Sequence, residues 1–440
     1  MKKYTAVLAV VCIFLQVCLL TLAQKSAPPV LSSNVKPNIP LRTNNDQSAL
    51  VESQIKIAEG TESFALELWK HMSDAHLEDP KKSYMISPFA VWSLLLLLAE
   101  GAGGNTLTEF RNTLHLSNDQ QALRMAYKQI AQKLKVNTNT IEVASFQALF
   151  TDINKPVNRD YESLVTRVYE SALIPVHFSE VNSTFAQINA DINRATRGLL
   201  PHSVTPQDFK DAALLMISAL YFKGKWKYPF KSDQTITAPF HDEQEHVLGN
   251  VQMMTQIGPF NYISMKSLES YILELPYGKE DRLSMLIVLP RKSVSLNKVV
   301  GNLRTVGVKP LIQELEKMAA INENDDIQDQ VEVFLPRFST TSHFTLRPIL
   351  TKMGIVDAFE PDLANFDNMA KNIYVGKIFQ STRIIVNEEG TEAAAVTTAV
   401  LVNKASPTKF YLDRPFAYMI VEKKSGLLLF AGEVRSHEFS

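Results

Sequence analysis

The sequence predicts an α+β protein: one large mixed domain in which helices dominate the first half and strands the second. Three observations carry this. Helical periodicity sets in near residue 61, one helical segment is apolar on every side, and from residue 212 the texture turns to β-branched and aliphatic runs broken by Gly and Pro. The two kinds of element interleave and no internal repeat divides the 440 residues, so a single domain with a substantial core is expected.

The chain opens with MKKYTAVLAVVCIFLQVCLLTLAQ, where Lys2 and Lys3 precede a long apolar run and Thr21-Leu22-Ala23 offers a small-residue cleavage site. This is the grammar of a secretory signal, so residues 1–23 are expected to be removed and the mature protein to be secreted and soluble. A membrane anchor is the other reading of the run. Both cysteines, Cys12 and Cys18, lie inside it, so the mature chain holds no disulfide and must draw its stability from burial. Its formal net charge of −1, lowered further when Lys2 and Lys3 leave, shows none of the basic excess of a nucleic-acid binder. Residues 24–59 are rich in Ser, Pro and Asn and read as a flexible tail, which leaves 60–440 as the folded domain. The sequon Asn182-Ser183-Thr184 is a candidate glycan site at a loop or helix start; an unmodified polar turn is its plainer reading.

Order begins with Phe64, Leu68 and Met72 on one helical stripe. In SPFAVWSLLLLLAEGAGGNTLTEF, Ser87 suits a cap, Pro88 a first turn, and Leu94 to Leu98 a helix buried all round. Gly101, Gly103 and Gly104 break that helix; no strand precedes them and no Gly-Lys-Ser/Thr follows, so they form no phosphate loop. Thr106 to Glu109 then reads as a capping box. The next amphipathic helix carries Arg124, Lys128, Lys133 and Lys135, either a solvated face or a surface for a polyanion such as heparin. Strand-like runs follow in ALLMISALYFKGKW, SYILELPYG, RLSMLIVLP and VEVFLPRF, and FAYMIVE with LLLFAGEV makes a C-terminal hairpin.

Enzyme chemistry finds little support. There is no G-x-S-x-G elbow, no cysteine outside the signal and no H-E-x-x-H, and the pairs His71/His76 and His241/His246 are five apart, the wrong spacing for two ligands on one helix face. No metal or cofactor is expected. A Ser/His/Asp triad assembled from distant positions stays open on sequence alone.

Over residues 60–436 the sequence resembles the serpin family. SPFAVWSLLLLLAEGAGGNT is similar to the family's buried helix and following turn, ALYFKGKWKYPF to its central-sheet strand and breach, DRPFAYMI and LLLFAGEV to its C-terminal strands, and VNEEGTEAAAVTTA to its reactive-loop hinge. The resemblance implies a metastable fold with a large central β-sheet, further sheets, about nine helices and an exposed reactive loop over about 388–410. It also implies a one-use trap: a protease attacks a bait bond, and the freed loop inserts into the central sheet as a new strand.

The hinge and inserting loop are then Glu388, Glu389, Gly390, Thr391, Glu392, Ala393, Ala394, Ala395, Val396 and Thr397. In strand alternation Thr391, Ala393, Ala395, Thr397 and Ala399 face inward and are all small or compact, while Glu392 falls outward. Gly390 supplies backbone freedom. Fifteen residues counted from Gly390 reach Lys404, and Pro415 of DRPF lies eleven beyond it, so the family register places the bait bond at Lys404-Ala405. A lysine there suits the S1 pocket of a trypsin-like protease. Lys409, the other basic residue nearby, would change the length of the inserting segment.

The sequence departs from the family at the shutter, where Ala90, Ser218 and Gln380 replace the usual serine, asparagine and histidine. A substitute hydrogen bond between Ser218 and Gln380 is expected there. The resemblance implies a secreted, monomeric inhibitor of an extracellular trypsin-like protease that catalyses nothing itself, similar to arthropod serpins of clotting, melanisation and Toll-type immune cascades. A non-inhibitory carrier, storage or chaperone-like member is the alternative.

Overall fold

The computed structural model describes residues 44–76, 81–134, 138–200, 204–209, 214–324, 330–390 and 407–436. In chain order the elements are α1 (Asn44–Ala75), β1 (Tyr84–Ile86), α2 (Pro88–Gly101), α3 (Gly104–Leu114), α4 (Gln120–Leu134), β2 (Ile141–Asp152), α5 (Arg159–Arg167), β3 (Ala172–Val176), α6 (Val181–Ala195) and β4 (Leu214–Gly224). Then come β5 (Ile236–His241), β6 (Val247–Gly258), β7 (Tyr262–Met265), β8 (Ser270–Tyr277), β9 (Leu283–Pro290), α7 (Leu296–Val306) and α8 (Lys309–Asn324). The chain closes with β10 (Val331–Pro336), β11 (Phe338–Thr345), α9 (Arg347–Lys352), β12 (Lys377–Val386), β13 (Thr408–Tyr411), β14 (Phe416–Glu422) and β15 (Leu427–Val434). The described residues thus hold nine α-helices, matching the expected number.

Three sheets organise these strands. A six-stranded sheet runs β1-β15-β14-β9-β8-β7, a four-stranded one β13-β10-β6-β5, and a five-stranded one β11-β12-β4-β2-β3. In the five-stranded sheet β4 shows why its sequence is a continuous apolar run: both of its faces are covered. Leu214, Met216, Leu220 and Phe222 enter the main core, while Leu215, Ile217 and Ala219 enter a second cluster with Ile188 and Ile192 of α6. Phe379 of β12 joins that second cluster, which thus draws on α6, β4 and β12. Strands β14 and β15 are buried at every position, and α2 is buried at twelve of its fourteen, as its leucine run predicts.

Three local expectations need correction. Residues 44–59, expected within a flexible tail, belong to α1; Ile57 is buried at 5% exposure and Lys56 pairs with Glu52 one turn away, so the helix extends upstream of its apolar stripe. Ser87 stands at the N-cap of α2, but its hydroxyl makes no cap bond and donates to Leu429 O at 2.7 Å. Thr106 and Glu109 form no capping box, because α3 already starts at Gly104: Thr106 Oγ1 accepts from Asn365 N, and a Glu109 carboxylate oxygen accepts from Val356 N and Asp357 N.

Candidate functional site

The site is a seam in the five-stranded sheet. Strands β4 and β12 lie parallel and paired from Leu215 with Lys377 to Tyr221 with Arg383, whereas β12 is antiparallel to β11 and β4 to β2. Beyond Arg383 the two strands are no longer paired, although β12 runs on to Val386 and β4 to Gly224. Gly390 occupies the gap between their ends. It bridges antiparallel to Asn387 on one side and to Lys225 on the other, so a third strand direction has begun between two parallel neighbours.

Backbone bonds fasten this turn. Asn387 N donates to Gly390 O at 3.0 Å and Gly390 N to Asn387 O at 3.2 Å; Trp226 N donates to Glu389 O and Phe230 N to Glu388 O. The Trp226 indole donates to Asn387 O at 3.0 Å and stacks on Tyr277 with ring centres 4.5 Å apart. Gly390 has φ +110°, and a Cβ placed there would meet Gly224 O at 2.2 Å. Only glycine fits that approach. Glu388, 5% exposed, receives hydrogen bonds from Arg337 and the Thr235 hydroxyl. Burial alone would raise its carboxyl, but those two partners outweigh it and hold the group below the usual carboxylate range.

Deeper along the seam, Gln380 and Ser218 are register partners, as the sequence reading required. The bond expected between them is not formed. Gln380 instead grips the peptide of Ser87: its Oε1 accepts from Ser87 N at 2.8 Å and its Nε2 donates to Ser87 O at 3.0 Å. The separate oxygen and nitrogen of the amide pair with the N–H and the C=O of one residue at the same time. Ser218 Oγ is left buried with no partner among the described residues. Ala90 contributes its carbonyl, which accepts from Gln147 Nε2 of β2 at 3.1 Å. Two further bonds, Thr382 Oγ1 to Met85 O and Met85 N to Ser342 Oγ, tie β12 and β11 to the segment entering α2.

Gln147 and Arg337 were not singled out from the sequence, where Ser87 was read only as a cap and Glu388 only as part of the hinge. A glutamine within an apolar β run was the available signal for Gln147; Arg337 had none.

Other expectations fall elsewhere. Thr391, Glu392, Ala393, Ala394, Ala395, Val396, Thr397, Ala399, Lys404 and Ala405 lie outside the described residues, as do Lys135 and the side chain of Lys133. Asn182 is the second residue of α6 and exposed. The expected polyanion surface loses Arg124, whose guanidinium makes two hydrogen bonds to the buried carboxylate of Glu100, at 2.8 and 2.6 Å. Lys128 remains exposed. His343 Nδ1 lies 2.8 Å from Ser381 Oγ, but Ser381 is 2% exposed inside the sheet, where no substrate reaches it.

Comparison with known proteins agrees with this architecture. A family model described as "Serpin (serine protease inhibitor)" matches residues 59–437. Plasminogen activator inhibitor 1 of Neovison vison is 26% identical over 396 residues, covering 88% of this chain and 95% of its own. The solved structure of Serpin48, a highly specific serpin of the insect Tenebrio molitor, superposes with a TM-score of 0.70 at 27% identity, covering 89% of this chain and 99% of its own. Human thyroxine-binding globulin, solved with its hormone, shares the fold with a TM-score of 0.74 at 22% identity over 87% of this chain and 98% of its own. With its three sheets, its seam between parallel strands and a family match across most of its length, the chain belongs to the serpin family.

Proposed function

We propose that this chain is a secreted, single-use inhibitor of trypsin-like serine proteases, with Lys404-Ala405 as its bait bond. The observation that carries the reading is Gly390, already bridged antiparallel to the residue after β4 and to the residue after β12. A strand continuing from it between β4 and β12 would be antiparallel to both, replacing a parallel pairing by two antiparallel ones. The small inward residues Thr391, Ala393, Ala395, Thr397 and Ala399 suit such burial.

In the trapping step the protease serine oxygen attacks the Lys404 carbonyl, the serine proton passes to the departing Ala405 amine, and an ester joins protease to Lys404. Insertion of the freed segment then carries the attached protease across the molecule before water cleaves the ester. The chain acts as substrate and strap and catalyses nothing. Residues 1–23 as a secretory signal, a glycan on exposed Asn182 and a monomeric mature form belong to the same reading. An arthropod defence or clotting cascade fits as its setting, on the likeness to an insect serpin. The likeness to thyroxine-binding globulin extends to fold alone, and no bulky, charged or proline residue occupies an inward hinge position as a carrier would tolerate.

Incubation with a trypsin-like protease, followed by denaturing electrophoresis and mass spectrometry, tests this. A covalent complex with a released fragment beginning at Ala405 is expected, and Thr391→Arg should divert the reaction to plain cleavage. Cleavage of the unaltered protein without any complex would overturn the inhibitory reading.

A further inference from the structure

Lys409, the second residue of β13, follows the proposed bait residue Lys404 by five positions. Each position advances the chain by at most about 3.6 Å, so the backbones of Lys404 and Lys409 lie within about 18 Å of each other whatever path joins them. A trypsin-like protease is wider than the roughly 30 Å of a small domain. Seated on Lys404, it brings its leaving-group side against the start of β13.

Lys409 is held in place there. Strand β13 runs parallel to β10 with Lys409 opposite Glu332, so Lys409 belongs to a sheet rather than to a free bait segment. Its ammonium lies 3.3 Å from a Glu332 carboxylate oxygen and 5.6 Å from the centre of the Phe334 ring, which packs on Tyr411 with ring centres 4.5 Å apart. The Tyr262 hydroxyl donates to Thr408 Oγ1 at 3.5 Å and so steadies the start of the strand. A long side chain ordered beforehand costs less to use in an interface.

The ion pair is lopsided. The side chain of Lys409 is 66% exposed and that of Glu332 24%, so an approaching surface meets the cation first. An ammonium carries three donors, and a single carboxylate beneath it leaves the outward ones for a partner. Carboxylates on the partner are attracted, and lysines or arginines there are repelled. Charge at the margin of an interface acts chiefly on the rate of encounter and on the choice of partner.

We propose that Lys409, set by Glu332 and Phe334, is a second recognition point for the target protease and selects one whose leaving-group side is acidic; this rests on the reading of Lys404 as the bait. The test uses two forms of one trypsin-like protease that differ only in the loop bordering the leaving-group side of the cleft, acidic in one form and with those acids changed to lysine in the other. The second-order rate of attack at Lys404 is read as complex and cleaved chain together, normalised to each form's rate on a small lysyl amide. The acidic form should react about tenfold faster, with the ratio shrinking at high salt. Lys409→Glu should reverse the order, and Lys409→Gln, which keeps β13 free of a like-charge pair with Glu332, should bring the two rates together. Loss of a merely structural contact would slow both forms alike. A ratio that neither variant changes overturns the selection, even where complex forms. A ratio that follows the variants while only cleavage occurs upholds the selection and overturns the inhibitory reading instead. Attack at a bond other than Lys404-Ala405 overturns both.

Discussion

At the scale of single residues, Gln380 and Ser218 show opposite consequences of burying a polar group. Gln380 satisfies both backbone groups of Ser87, so Gln380→Ala strands a donor and an acceptor where water is excluded. The expected cost is about 1–3 kcal/mol for each orphan. Ser218→Ala removes a hydroxyl with no partner among the described residues and is expected to be neutral or stabilising. Equilibrium denaturation of the two variants checks both signs. His343 sets a pH dependence: burial holds its imidazole below the usual value, with Asp208 only partly offsetting it. The unfolded chain therefore binds the proton more readily, so this contribution is full above about pH 6.5 and is lost as the pH falls below that value. His76, half-buried on Tyr84, shifts the same way. The ion-paired carboxyl of Glu388, held low, acts in a separate window: its stabilisation is present above about pH 4.5 and is lost as the pH falls through its folded value. His343→Gln should reduce the slope of stability against pH between about 5 and 6.5 by roughly half, leaving the acid limb intact; an unchanged slope would contradict the assignment.

Among the elements, the turn at Gly390 is the most constrained. Gly390 sits at φ +110° against the carbonyl of Gly224, so Gly390→Ala adds strain to a clash with backbone that cannot rotate away. A loss of about 1–3 kcal/mol is expected, with faster hydrogen exchange at Trp226 and Phe230, whose amides bond to Glu389 and Glu388. Local exchange at those amides identical to wild type would show that the turn tolerates a side chain. The apolar helix α2 was well legible, because a leucine run apolar on every side shows its burial demand in composition. The start of α1 was not, because the polar residues before Ile57 carry no apolar stripe of their own.

For the molecule as a whole, the proposed trap predicts a difference in stability between intact and cleaved forms. A strand of about ten residues entering between β4 and β12 would form two new antiparallel edges, each hydrogen bond contributing about 1 kcal/mol net. At a few degrees per kcal/mol or less for a chain this long, cleavage after Lys404 should raise the melting temperature by about 20 °C or more. Circular dichroism of protein cleaved at that bond reads this directly. A melting point unchanged by cleavage would mean that the segment stays outside the sheet.

Sequence alone determined the mixed fold, the buried helix, the strands of the second half and the family, because each rests on residue types within a few turns or strands of one another. Only the tertiary structure decided which groups the polar residues meet. Gln380 bonds a backbone 293 positions away rather than its neighbour across the seam, and Arg124 belongs to Glu100 rather than to a surface for polyanions. Such pairings follow from how the sheets and helices stack, and a buried polar group takes whichever partner that stacking brings within about 3 Å.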